Sequence, residues 1–186
     1  MAKTATYGIE TIKFAEPVAG SFPTDWEGFE MKAIVKDSVQ YNDSAPSENN
    51  VEVEDMDEYY ATLKTDKGTR GFTIKTYDMS AEAYNYFYGY TTADGKNTET
   101  PGFELGNKAL QIVTKALGTE FPSKTFEFAN MKLSVTNEGT IGKSGFPNLN
   151  ITCTKQANLN DDGKEVAGAR WYLTETSTDT TSGDLS

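Results

Sequence analysis

A chain of 186 residues is long enough for one domain with a real core and short for two, and its 28 acids against 17 Lys and Arg set a net charge of -11. That balance excludes a surface built to neutralise phosphates, and the absence of histidine removes the usual general base, the Ser-His-Asp triad and most catalytic zinc sites. The lone Cys153 excludes an intrachain disulfide and, in the run Leu149-Ile151-Cys153, reads as a small apolar core residue.

Gly, Thr, Tyr and Phe are well supplied, and aromatic and β-branched residues fit a pleated, half-buried surface. Thr6 to Phe14 alternates around Tyr7, Ile9, Ile12 and Phe14 with a break of phase, as a bulged strand or one helical turn would. Glu16 to Gly20 marks a turn, and Ser21 to Trp26 continues as irregular chain that Phe22 and Trp26 anchor to the body. Phe29 to Val39 has the period of two of a strand with one wet side, with Phe29, Met31, Ala33 and Val35 facing in. From Asp37 to Asn50 the apolar content collapses, and Asn42 to Ser47 reads as a surface loop.

Between Lys36 and Lys64 lie eight acids and no base, Glu52, Glu54, Asp55, Asp57 and Glu58 being the densest group. Such a run is by default a solvated face or loop. The sharper readings are a divalent-cation site or a channel wall that does not hold polyanions; no glycine sits at the turning point, which argues against the first. A β-hairpin is predicted next, with Ala61 and Leu63 facing Phe72 and Ile74 across a turn at Asp66-Lys67-Gly68. Lys64, Asp66, Lys67, Gly68 and Arg70 make it a candidate edge for pairing with a second subunit, and Gly71 permits a bulge or a close neighbouring backbone.

Asp78 or Ser80 caps a predicted helix of about three turns that stops at Gly89, with Met79, Ala83, Tyr86, Phe87 and Tyr90 on one face. Residues 91–107 read as a long loop and 124–136 as the clearest long strand; between them 109–117 is ambiguous, since Asn107 and Gly118 would bracket a helix while the Ile112-Val113-Thr114 centre and the strand that follows favour a strand. In that strand the apolar phase changes at Ala129-Asn130, so a single-residue bulge there returns Phe126, Phe128, Met131, Leu133 and Val135 to one face. Leu149-Ile151-Cys153 is a further strand. Asn158 to Gly163 resembles half a calcium loop, but its twelfth position is Ala169, so a hairpin turn at Asp162-Gly163 is the stronger reading. Trp171 and Leu173 are expected to close the core, and residues 175–186 to form a polar tail that is disordered or an arm ordered only by a partner.

The expected fold is mainly β (α+β by strict count): a β-sandwich or barrel with one packed α-helix, long loops and a projecting hairpin. One domain over 1–174 is expected, opening with an N-terminal arm over 1–28. No catalytic, cofactor or metal motif emerges. No apolar run reaches the length of a membrane span, and MAKTATYGIE has no secretory-signal pattern, so the chain is expected in the cytoplasm of its producer until assembled.

The order of parts resembles the major tail tube proteins of tailed bacteriophages and the related tubes of contractile injection machines. The parts are an opening stretch Tyr7-Gly8-Ile9 to Pro17, the acidic approach Val51 to Glu58, the hairpin Tyr59 to Tyr77, the helix Met79 to Gly89, and Gly/Pro-punctuated strands running to a polar tail. The resemblance implies a virion protein assembled in the host cytoplasm, a homo-oligomer of hexameric rings stacked into a tube with other tail proteins. DNA would pass through without being bound. On this expectation Glu52, Glu54, Asp55, Asp57 and Glu58 sit at the lumen or the ring-to-ring contact, and carboxylates there leave the phosphate backbone free to slide. Two other classes remain: a β-sandwich that binds carbohydrate or a surface through Trp26, Trp171 or the tyrosines, and an enzyme with paired carboxylates.

Overall fold

The computed structural model describes residues 7–174 apart from Val53, Asp55, Met56, Tyr59, Tyr60, Thr65, Thr119 and Ser144. The strands in chain order are β1 (Tyr7–Ala15), β2 (Phe29–Glu30), β3 (Gln40–Tyr41), β4 (Glu48–Val51), β5 (Ala61–Lys64) and β6 (Gly71–Thr76). The helix α1 (Ala81–Tyr88) precedes β7 (Thr91–Ala93), β8 (Lys96–Thr98), β9 (Lys108–Lys115) and β10 (Lys124–Glu138). The remainder are β11 (Asn148–Lys155), β12 (Asn158–Leu159), β13 (Glu165–Val166) and β14 (Ala169–Leu173). The fold is mainly β with one helix, as the alternating apolar pattern implies.

Eight strands form the main antiparallel sheet, ordered β2-β1-β9-β10-β11-β6-β3, with β14 on β10. β10 is long enough to serve two neighbours on one side: its first half pairs with β14, its second with β11. The predicted bulge is present, because the register with β9 slips by one between Phe128 and Met131. Directly opposed residues share a face. Phe14, Leu110 and Phe128 therefore align across three strands, as do Ile12, Ile112 and Phe126. Beyond the bulge Met131, Leu133 and Val135 join them, and the row continues through Cys153 to Phe72 and through Ile151 to Ile74.

Helix α1 covers this face. Ser80 is the N-cap, its hydroxyl accepting from the Ala83 N–H, and Gly89 ends the helix at φ 64° in the left-handed region. Eight residues make about two turns rather than three. Ala83 and Phe87 are buried, and Phe87 meets Phe14 and Phe29 edge-on at 5.8 and 5.2 Å.

The predicted strand Phe29–Val39 is not formed. Phe29, Glu30 and Met31 lie along β1, with the Met31 N–H donating to the Ile12 carbonyl. The chain then turns through Ala33 at φ 48° and runs along β6, where the Val35 N–H donates to Lys75 and Gln40 and Tyr41 pair with Thr73 and Phe72. One segment thus borders both outer strands, but its ladder is broken at the crossing and the sheet is not a closed barrel. Residues 91–107 are likewise not all loop: Asp94 and Gly95, at φ 51° and 71°, make a tight turn between β7 and β8.

Candidate functional site

The hairpin predicted around Asp66-Lys67-Gly68 exists in a different form. β5 pairs not with β6 but with β4, Glu48 opposite Lys64 and Val51 opposite Ala61. Below that ribbon Asp66 donates its N–H to Ser47, Ser44 bridges Thr69, and Asn42 donates to Gly71, joining the ribbon to the β3–β6 pair. The two segments 42–51 and 61–70 therefore run side by side as one long arm whose reversal lies between Val51 and Ala61. Gly68, at φ 70°, does not turn the chain. It lets the arm pass close to Ser44, whose carbonyl oxygen would lie 2.5 Å from a β-carbon there. Gly71 is needed for a comparable reason, since its β-carbon would come within 2.1 Å of the Cys153 carbonyl.

From Asn42 to Val51 the arm reaches roughly 30 Å at the usual strand rise. Residues 41–50 are all exposed, and Leu63, expected to face Phe72 and Ile74, lies opposite Asn49 instead and is 55 % exposed. Glu52, Glu54, Asp57 and Glu58 are exposed at the reversal; Asp55 lies outside the described residues. Residues 48–61 contain six acids and no base, so the end of the arm is strongly negative. The candidate hairpin residues fall lower: Lys64 midway, and Asp66, Lys67, Gly68 and Arg70 near the base. The structure has brought both predicted groups onto one element and placed them at its two ends.

At the base lies a groove of about 770 Å³ between the arm and the strand ends, lined by Asp43, Lys67, Arg70, Lys155, Gln156 and Glu165. The Lys155 N–H donates to the Arg70 carbonyl at 2.7 Å, which fixes the arm to β11. The opposite end of the β10–β11 pair carries another exposed feature, the hairpin tip with Ile141 and Phe146, 91 % and 80 % exposed. Arm and apolar tip therefore occupy the two poles of the sheet.

A polar cluster that the sequence pattern missed lies on the face opposite the core. Glu127 stands between Phe126 and Phe128, and the period of two assigns it to the wet side of β10. Its side chain is nonetheless only 2 % exposed. The carboxylate accepts from Gln111 Nε2 at 2.9 Å and Tyr172 Oη at 3.0 Å through one oxygen, and from Arg170 Nε at 2.5 Å through the other. Phe22 packs against the Arg170 guanidinium at 4.2 Å, so the 20–26 loop covers the cluster. A cavity of about 570 Å³ bordered by Phe22, Trp26, Arg170 and Tyr172 remains beside it.

β14 forms an outer margin of the sheet. Thr174 donates to Ser123 and Ala129 to Gly168, which marks the even-numbered residues of this strand as the ones bonded to β10. Ala169, Trp171 and Leu173 therefore turn their backbone groups away from β10. Among the described residues no strand pairs with β14 on that side. Trp171, expected in the core, is 55 % exposed because it lies beyond Phe126 at this margin, with Lys124 Nζ 3.9 Å above its ring.

Among the described residues no group of three acids or thiols is placed to hold a metal ion, and no helix is long and apolar enough to cross a membrane. No protein-family profile matches the chain, and no curated protein matches it.

Proposed function

We propose that this chain is a structural virion protein, the subunit of a phage tail tube, and that it polymerises as stacked rings around a DNA-conducting channel. The observation that carries the reading is the arm: roughly 30 Å of ribbon that contributes little to the core and ends in concentrated negative charge. Beyond its base, where the Lys155 N–H donates to the Arg70 carbonyl, an element so exposed is held mainly by its own ladder, which suits a segment whose packing partner is another subunit. The unpaired margin at β14 supports the same reading, since closing a ring removes open sheet edges.

Carboxylates at the arm's end suit either the lumen or the ring-to-ring contact, and their distance from the body favours the contact. A chain with a net charge of -11 offers the phosphate backbone no net attraction, so DNA would slide through a tube built of it without being gripped. Negative-stain electron microscopy of the purified chain tests the reading: rings or tubes support it, and isolated globules at every concentration sink it.

A carbohydrate- or surface-binding module is the second reading, favoured by the aromatic-lined cavity beside Glu127. Glycan-array binding by a monomer, abolished by Trp26→Ala, would replace the first reading with this one.

A further inference from the structure

We infer that the basic groove at the base of the arm is the receptor for the acidic arm tip of a second copy of this chain. The inference rests on the tail tube reading for its setting, and on charge and distance for its argument. Ion pairs among the described residues engage Lys13, Lys32, Lys75, Lys108 and Arg170. Lys67, Arg70 and Lys155 take part in none of them, yet all three line one groove of about 770 Å³. The groove also holds two acids. Asp43 is committed to the fold, its Oδ1 accepting from the Gly71 N–H at 3.0 Å, while Glu165 is exposed on β13.

The complementary charge on the same molecule is at the far end of the arm. Glu52, Glu54, Asp57 and Glu58 are exposed there, and the segment has no cation of its own between Glu48 and Ala61. Pro46 lines the groove, and the chain from it to Glu52 spans roughly 20 Å when extended. That exceeds the Debye length of about 8 Å at physiological salt, so tip and groove of one copy scarcely interact. The arm cannot fold back while its two ladders remain paired. The charges are therefore satisfied between copies. Tip and groove are different patches of one surface, so each copy gives one contact and receives one: the association passes from copy to copy unless two copies exchange arms about a two-fold axis and close as a dimer.

The test is sedimentation velocity on the full chain at low salt and at about 1 M salt, where the Debye length falls to about 3 Å. The wild type is expected to self-associate at low salt and to dissociate at high salt. Two variants are compared: Lys67→Glu with Arg70→Glu and Lys155→Glu, and Glu52→Lys with Glu54→Lys, Asp57→Lys and Glu58→Lys. Each alone is expected to associate at least about tenfold more weakly than wild type, with an unchanged circular dichroism spectrum, and a mixture of the two is expected to recover association. Neutral Gln at the three groove positions, which adds no repulsion, is expected to give an intermediate loss.

A groove variant that assembles into rings as readily as wild type overturns the inference and leaves the tail tube reading standing. A salt-sensitive closed dimer that both charge sets control keeps the docking and removes the tube. A wild type that is monomeric at every salt concentration overturns both.

Discussion

Removing the Glu127 carboxylate would strand three donors at once. Gln111, Arg170 and Tyr172 all converge on it, and its own side chain is almost wholly enclosed. Arg170 is half exposed, so water can take over part of its charge, and the expected cost of Glu127→Ala is about 2–3 kcal/mol rather than the full penalty of a buried lone cation. Urea unfolding measures it; a change under about 0.5 kcal/mol would show that the cluster does not hold the 20–26 loop. Tyr86 presents the opposite case, a buried hydroxyl with no hydrogen-bond partner among the described residues, on a ring stacked 4.7 Å from Phe29. Tyr86→Phe keeps the stacking and the Lys108 contact, and is expected to raise stability by about 1 kcal/mol in the same assay. Burial pushes the Cys153 thiol from 9.0 up to about 12. The folded protein keeps that proton while the unfolded chain releases it, so this contribution is complete below pH 9 and is lost as pH rises from 9.0 towards 12. Unfolding free energies measured at about pH 8 and pH 10 should therefore fall more steeply for wild type than for Cys153→Val, by up to about 1.4 kcal/mol per pH unit. Equal slopes would contradict the thiol's burial.

At the scale of elements, features fixed by residues close in sequence were readable and those fixed by distant pairing were not. The Ser80 and Gly89 caps, the Asp162-Gly163 turn and the bulge after Phe128 all follow from local chemistry or from a shift in the period of two, whereas 109–117 carries the brackets of a helix and is a strand because it pairs with β1 and β10. The reversal of the arm did not follow. Asp66-Lys67-Gly68 has genuine turn chemistry, and Gly68 does adopt a positive φ, but the conformation serves a close approach to Ser44 inside a ribbon. The candidate residues were therefore found, while their order along the arm was inverted. Glu127 was hidden for a related reason: the loop that covers it lies about a hundred residues earlier, and no strand pattern carries that information. Because the arm packs on little besides itself, replacing residues 50–62 with Asn-Gly should leave the unfolding free energy of the body within about 1 kcal/mol of wild type. It should also abolish self-association. A body that unfolds cooperatively with the lost arm, seen as a drop of several kcal/mol, would make the arm a structural element rather than an interface.

At the scale of the whole molecule, charge and shape are distributed in the same sense. The acids gather at the end of an arm at one pole, the apolar residues Ile141 and Phe146 are exposed at the other, and between them the margin at β14 has no partner strand among the described residues. A monomer leaves all three open to solvent, whereas the proposed stack of rings would cover the poles and close the margin. The most direct measurement is negative-stain electron microscopy of the wild-type chain beside the arm-shortened variant, at equal concentration and low salt. Rings stacked into tubes are expected for wild type, with unstacked rings or single particles for the shortened chain. Wild-type fields of single globules, or tubes formed equally well without the arm, would contradict the account.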